Sequence, residues 1–147
     1  MALAQRYLLN ALTLALCIWA GGAGAQTIVT AEQALRMARG GEITIIDIRR
    51  PDEWRETGIP AGAELATVRT IRGPAEFLRR IAKLTKGDKS TPIALICAAG
   101  VRSKHASRLL QSRGYTQVLD ISEGMLGSRA GTGWLARKLP VKACDGC

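Results

Sequence analysis

The strongest constraint on this chain is the alternation of short aliphatic runs with helical segments. Residues 43–48 and 92–97 are rich in Ile and nearly continuous in apolar character, which is typical of strands buried on both faces. Residues 117–121 predict a third strand. Helices are predicted over residues 30–38, 73–84 and 102–113. This alternation predicts an α/β fold with a parallel sheet covered on both faces, whose chemistry lies beyond the carboxyl ends of its strands.

The first 25 residues have the three parts of a secretory signal. Arg6 gives a basic start, residues 7–20 are almost wholly apolar, and residues 21–25 are small and end in Ala-Gly-Ala. This pattern predicts a signal peptide, residues 1–25, cut between Ala25 and Gln26, and a periplasmic or secreted protein. An uncleaved membrane anchor is the alternative. The apolar core is short for a span, so we expect no stable membrane insertion after cleavage.

Composition limits the partners of the chain. With 147 residues, 47% hydrophobic and 4% aromatic, it predicts one domain with an aliphatic core. Removal of residues 1–25 takes away only Arg6 among the charged residues, and the remaining 20 basic and 12 acidic side chains give a net charge of +8. A basic surface attracts anions, and we expect a small anionic substrate. Nucleic acid is not an expected partner, because Lys/Arg runs are short and aromatic residues for stacking are few.

A cysteine stands where the second long aliphatic run ends. Cys97 closes the strand, Arg102 and Ser103 open a helix, and Gly100 lies between them. A loop this short turns backbone N–H groups inward, and with the positive end of the helix it forms an anion cradle. Such a cradle favours the thiolate form of Cys97, which is the nucleophile. The alternative is an inert buried cysteine, but the strand–loop–helix junction favours a nucleophile.

Several motifs together resemble those of a single-domain rhodanese. They are Asp47-Ile48-Arg49, Pro51-Asp52-Glu53-Trp54, residues 58–63, the Cys97-Ala98-Ala99-Gly100-Val101-Arg102-Ser103 loop, Gly114-Tyr115 and Ser122-Glu123-Gly124. The family fold is a central five-stranded parallel sheet flanked by helices, and its chemistry is the transfer of sulfane sulfur through a cysteine persulfide. The resemblance predicts one rhodanese-like domain over residues 26–141, followed by a Cys-x-x-Cys tail over residues 142–147.

The resemblance also implies roles for individual residues. Cys97 is the expected persulfide-forming nucleophile, with Asp47 orienting the loop by accepting its hydrogen bonds and Arg49 supporting the strand end. Glu53 is expected to start a helix. The residues expected to bind substrate around the outer sulfur are Ala98, Ala99, Gly100, Val101 and Arg102. The donor would be thiosulfate or a persulfide and the acceptor a thiol, sulfite or cyanide, with a protein thiol as a further candidate partner. The chemistry needs no metal, no His base and no dissociable cofactor.

Two features of the loop bear on substrate choice. Ala98 and Ala99 stand where well-known thiosulfate users carry basic residues, so Arg102 is the one cation of the loop able to pair with a dianion. Four residues separate Cys97 from Arg102, whereas related phosphatases have five, and the smaller cradle suits a single sulfur atom. The alternative function is a non-catalytic rhodanese-like module that recruits a partner or senses persulfide, although such modules usually lack the cysteine.

The tail holds two more cysteines, Cys144 and Cys147. With Cys97 they make three after the signal, and in an oxidising compartment two should pair. A disulfide between Cys144 and Cys147 is the simplest expectation. The alternative is a thiol pair that accepts sulfur from Cys97 or reduces it. Zinc is not expected, because the tail supplies two ligands and no second cluster accompanies it.

Overall fold

A computed structural model describes residues 26–69 and 73–147, so the predicted signal peptide over residues 1–25 lies outside the described residues. The strands of this part are β1 Thr27–Ile28, β2 Thr44–Asp47, β3 Ile59–Pro60, β4 Glu64–Leu65, β5 Ile93–Ile96, β6 Val118–Asp120 and β7 Val141–Lys142. Its helices are α1 Ala31–Arg39, α2 Pro51–Thr57, α3 Pro74–Leu84 and α4 Val101–Ser112. The three predicted strands and three predicted helices are present, each within one residue of its predicted bounds.

Within the described ranges, five parallel strands form the main sheet in the order β1-β6-β5-β2-β4. The central strand is β5, where Ala94 lies opposite Ile45 of β2 and Leu119 of β6. Apart from this sheet, β3 and β7 pair in antiparallel fashion, with Ile59 opposite Lys142. The expected α/β fold with a five-stranded parallel sheet is confirmed.

An apolar layer covers each face of the sheet. On one face, α3 and α4 pack Phe77 and Leu110 into a cluster with Ile46. On the other face, α1 contributes Leu35, which clusters with Trp134 and neighbouring aliphatic side chains. Because both faces are covered, all four residues of β5 are buried, as its continuous apolar sequence predicted.

The helices are short, and α1 begins at a side-chain cap. Thr30 caps α1 through a reciprocal pair of bonds: its hydroxyl accepts the Gln33 N–H at 3.1 Å, and its own N–H donates to the Gln33 side chain at 2.8 Å. Such a capping box satisfies amides that have no partner within the helix. In the part of the chain that is described, no helix combines the length and apolar character needed to cross a bilayer.

Candidate active site

Cys97 follows the central strand β5 at the carboxyl edge of the sheet. Its side chain is 1% exposed and belongs to the buried cluster between the sheet and α3 and α4, which is the burial that the alternative of an inert cysteine expects. The sulfur lies against the first turn of α4, where the backbone N–H of Ser103 donates to Cys97 Sγ at 3.4 Å and Ser103 Oγ lies 3.6 Å from the same sulfur. The thiol is therefore held at the positive end of a helix, where negative charge on sulfur is stabilised.

The loop between β5 and α4 leaves its backbone amides available. Within the described residues, the N–H groups of residues 98–102 donate no hydrogen bond. Gly100 precedes α4 with a φ of +80°, and a Cβ there would overlap the carbonyl of Ser122, so glycine is the residue that fits. Unpaired amides at a helix N-terminus are donors for an anion, and the expected cradle around Cys97 stays a prediction.

The segment after β6 is hydrogen-bonded to this loop. Met125 donates its N–H to the Cys97 carbonyl at 2.9 Å, and Leu126 donates to the Ala98 carbonyl at 2.9 Å. Gly124 makes the close approach possible, because a Cβ at its φ of +67° would overlap the Ala98 carbonyl. The carbonyls of Cys97 and Ala98 are thus occupied, while the loop amides stay available.

Arg102 forms a two-pronged ion pair with Glu53 of α2, a pairing not expected from the sequence. Its Nη1 and Nη2 donate to the two carboxylate oxygens at 2.7 and 2.6 Å, and both side chains are partly buried. Hydrogen bonding from Arg102 lowers the pKa of Glu53 to about 2, and the same contact raises the pKa of Arg102. Glu53 also accepts the Arg50 N–H at 3.0 Å, the helix-start role expected of it. Arg102 is the loop cation expected to be able to pair with a dianion, and in this structure its partner is Glu53.

Asp47 has a different partner from the one expected. Within the described residues its carboxylate accepts hydrogen bonds from Arg49, at 2.6 to 3.0 Å, and none from residues 98–102. Arg49 is 1% exposed and extends from the end of β2 to the Gly58 carbonyl at 2.7 Å and the Thr57 hydroxyl at 2.7 Å. Asp47 therefore fixes Arg49, and Arg49 ties the end of β2 to the end of α2. Arg49 thus occupies the supporting position expected of it.

Sequence reasoning missed two residues of this site, for different reasons. Ser103 was expected only to open a helix, yet it is the third residue of α4, and the N–H at that position has no partner within a helix. Its contact with Cys97 was therefore accessible from the spacing. Glu53 lies 49 positions from Arg102, and the sequence carries no local signal for that pairing.

The tail is placed by contacts with β3 and α2. Val141 and Lys142 form β7 against Pro60 and Ile59, and Arg55 Nη1 of α2 donates to the Cys147 carbonyl. In the structure a disulfide joins Cys144 to Cys147, and Cys97 is a free, buried cysteine. Among the described residues, no group of three or more His, Cys, Asp or Glu side chains is placed to hold a metal ion.

Comparison with known proteins agrees with this architecture. The chain is 30% identical over 99 residues to a tRNA uridine(34) hydroxylase of Chlamydia caviae, a match that covers 66% of this chain and 29% of that protein. The chain thus spans less than a third of that curated relative.

Two solved structures share the fold. A polysulfide-sulfur transferase homodimer of Wolinella succinogenes matches with a TM-score of 0.61 and 21% identity, over 82% of this chain and 81% of that chain. A thiosulfate sulfurtransferase of Pseudomonas aeruginosa matches with a TM-score of 0.63 and 24% identity, over 80% of this chain and 20% of that chain. The sequence profile of the rhodanese-like domain matches residues 30–130. With most of the chain matched and the parallel sheet in place, the chain belongs to the rhodanese-like domain family.

Proposed function

We propose that this chain is an exported sulfurtransferase, which moves sulfane sulfur from an anionic donor to a thiophilic acceptor through a persulfide on Cys97. The surroundings of the Cys97 sulfur carry the proposal: the Ser103 N–H lies at 3.4 Å, and the amides of residues 98–102 have no partner among the described residues. A persulfide carries its negative charge on a second sulfur beyond Cys97. Fixed N–H donors stabilise such charge without reorganisation. The names of the two solved neighbours support the same chemistry.

The reaction has two halves that return the enzyme to its starting state. First, the Cys97 thiolate attacks the sulfane sulfur of the donor, and the remainder of the donor leaves with the electron pair, as sulfite in the case of thiosulfate. Cys97 then carries a persulfide anion. Second, an acceptor thiolate, sulfite or cyanide attacks the outer sulfur, and the electron pair of the sulfur–sulfur bond returns to Cys97.

The pairing of Arg102 with Glu53 bears on the choice of donor. Both terminal nitrogens of Arg102 are engaged by one carboxylate, so the pair offers little net charge to a dianion. The loop amides are suited to a single negative charge. We therefore rank persulfide donors above thiosulfate. The ratio of their kcat/KM values tests this ranking, and a higher value for thiosulfate would reverse it.

Cys97→Ser tests the catalytic assignment. Wild-type protein incubated with thiosulfate or a small-molecule persulfide should gain the mass of one sulfur atom on the peptide that contains Cys97, and the variant should gain none. Thermal denaturation of the variant checks that its fold is retained. Unchanged sulfur transfer in Cys97→Ser would contradict the proposed enzymatic function and favour the non-catalytic binding module.

Export is a separate part of the proposal and rests on the predicted signal. We propose cleavage between Ala25 and Gln26 and a periplasmic or secreted location. Gln26 Nε2 donates to Asp120 Oδ2 at 3.1 Å, so the first residue after the proposed cut is held by the fold. Intact-mass measurement of protein from separated cell fractions tests this. Recovery of uncleaved chain from the cytoplasm would contradict it.

A second candidate comes from the curated relative, which is named a tRNA uridine(34) hydroxylase. The 30% identity over 99 residues and the basic charge of the chain favour it, whereas the proposed export from the cytoplasm argues against it. Binding of tRNA that weakens steeply with salt and survives Cys97→Ser would favour this candidate. Hydroxylated uridine in tRNA that depends on the gene would support it further.

A further inference from the structure

The Cys-x-x-Cys tail has no part in the function proposed above, yet it contacts α2, the helix whose Glu53 pairs with Arg102. We infer that Cys144 and Cys147, once reduced, take the sulfane sulfur from Cys97 and release it as hydrogen sulfide. This inference rests on the proposed persulfide of Cys97 and names its acceptor as a dithiol within the same chain.

The attachment of the tail leads back to the edge of the sheet that carries Cys97. Lys142 pairs with Ile59, directly after Gly58. The Gly58 carbonyl accepts a hydrogen bond from Arg49 at 2.7 Å, and Arg49 follows the end of β2. Because β2 is the neighbour of β5 in the sheet, the base of the tail and Cys97 are connected through one buried side chain and one pair of adjacent strands.

Helix α2 provides a second connection. Its Glu53 holds Arg102 at the start of α4, and its Arg55 donates to the Cys147 carbonyl. One helix of seven residues therefore contacts both the candidate site and the cysteine pair.

The tail is lightly held and long enough to move. Within the described residues, the Arg55 contact is the hydrogen bond that ties residues 143–147 to the rest of the protein. Ala143, Asp145 and Gly146 are exposed. An extended chain spans at most about 3.5 Å per residue, so Cys147 can reach about 17 Å from Lys142. Release of one contact thus frees the pair to search the neighbouring edge of the sheet.

Both sulfur-transfer steps of this reaction use cysteines of the same polypeptide. A tail thiolate attacks the outer sulfur of the Cys97 persulfide, the sulfur–sulfur bond breaks, and its electron pair returns to Cys97 as thiolate. The tail cysteine now carries the persulfide. The second tail thiolate attacks the inner sulfur of that group, a Cys144–Cys147 disulfide forms, and sulfide leaves with the protons of the two thiols as hydrogen sulfide. The two tail thiols are oxidised and the sulfane sulfur is reduced.

Burial of Cys97 explains the advantage of an attached acceptor. The Cys97 side chain is 1% exposed, so a bulky acceptor from solution would reach its persulfide slowly. A short flexible linker gives its thiols an effective concentration in roughly the millimolar range, without a separate binding site. The disulfide in the structure corresponds to the product of this reaction, and a thiol reductant such as a dithiol protein or dithiothreitol must reopen it before each turnover.

The test compares the full chain with a Cys144→Ser/Cys147→Ser double variant. Both proteins are reduced, freed of reductant, and given one equivalent of a small-molecule persulfide. Sulfide release and alkylated peptide masses are followed with time. We expect wild-type protein to release sulfide and form the tail disulfide, at a first-order rate that does not change with protein concentration. The double variant should keep the persulfide on Cys97 at least about tenfold longer, because its acceptor must come from solution.

Two further experiments test for the intermediate on the tail and for transfer between molecules. A single variant, Cys144→Ser or Cys147→Ser, keeps one thiol, so we expect the sulfane sulfur to be trapped on the remaining tail cysteine in at least one of them. Loaded double variant mixed with reduced Cys97→Ser protein tests transfer between molecules, which should be slower and should depend on concentration. Urea denaturation of each variant checks the fold.

The outcomes separate this inference from the proposed function. If Cys97 of the double variant gains no sulfur, the proposed persulfide is wrong. If Cys97 is loaded and the persulfide decays equally fast in wild type and double variant, the sulfurtransferase stands and the dithiol acceptor is overturned.

Discussion

The carboxylate of Glu53 in α2 accepts a hydrogen bond from each terminal nitrogen of Arg102 at the start of α4, at distances of 2.6 and 2.7 Å. The two residues lie 49 positions apart, and their pairing ties the helix beside the strand end of Asp47 to the helix that begins next to Cys97. The same contact neutralises the single cation of the loop. The position of α4 and the proposed ranking of donors therefore both depend on one carboxylate.

The first prediction concerns the stability of this ion pair at acidic pH. Because Arg102 lowers the pKa of Glu53 to about 2, the carboxylate stabilises the fold above the ordinary unfolded value of about 4.3, and its contribution is lost as pH falls from there toward 2. Glu53→Gln should lower the free energy of unfolding by about 2 kcal/mol near pH 7. This difference from wild type should shrink below about pH 4.5. Urea denaturation across that range measures it.

Asp52→Asn is the matched control for Glu53→Gln. Asp52 lies on the same helix and pairs with Arg50, but its side chain is 58% exposed. We expect a change in the free energy of unfolding of at most about 1 kcal/mol. Equal losses in the two variants would mean that the contact with Arg102 contributes nothing specific.

The second prediction concerns Ser103. Ser103→Ala keeps the backbone N–H that donates to Cys97 Sγ and removes the hydroxyl 3.6 Å from the sulfur. The same hydroxyl donates to the Gly100 carbonyl at 3.1 Å, so the change loosens the loop as well as the sulfur. A net loss of about 1 kcal/mol should lower kcat/KM for sulfur transfer about fivefold. Ser107→Ala is the control, because Ser107 lies one turn later and its buried hydroxyl has no partner among the described residues. An equal loss in Ser107→Ala would assign the effect to packing of α4.

The third prediction compares two glycines with nearly the same φ angle. Gly100 has a φ of +80° and Gly62 a φ of +82°, but a Cβ on Gly100 would overlap the Ser122 carbonyl, whereas nothing lies within 4 Å of one on Gly62. Gly62→Ala should cost about 1–2 kcal/mol of stability, the backbone contribution alone. Gly100→Ala should cost about 1–3 kcal/mol more from overpacking, and it should also impair sulfur transfer. Similar melting temperatures would contradict this.

The fourth prediction concerns the buried pair of Asp47 and Arg49, which are 0% and 1% exposed. Removing one partner leaves an uncompensated charge, so Asp47→Asn or Arg49→Met should each lower the free energy of unfolding by about 3–5 kcal/mol. The double variant should lose less than the sum of the two, because neither charge is then stranded. Additive losses in urea denaturation would show that the two side chains act independently.

Much of the fold was predictable because its long elements carry local patterns. The runs that became β2 and β5 are almost continuously apolar, and Thr30 and Gln33 show the spacing of a capping box. The two-residue strands β1, β3, β4 and β7 were not predicted individually, since two residues are too few for any periodicity. Their positions depend on pairing with distant segments, as Ile59 with Lys142.

The candidate site divides in the same way. Cys97, Gly100 and the helix start could be located from spacing, because a strand, a short loop and a helix N-terminus are adjacent in the sequence. The partners of Asp47 and Arg102 could not, because a charged side chain pairs with whatever the tertiary fold brings near it. Arg49 is two residues from Asp47 in the sequence, much nearer than the loop that Asp47 was expected to bind, and it is Arg49 that the Asp47 carboxylate contacts.

The hydrogen bonds from Met125 and Leu126 to the carbonyls of Cys97 and Ala98 fix the conformation of the loop before a ligand binds. A peptide flip in this loop would have to break a 2.9 Å bond before a carbonyl could turn toward the thiol. The orientation of these two carbonyls is therefore set before any ligand arrives, so little of the binding energy of the proposed anionic donor would go into rearranging the protein.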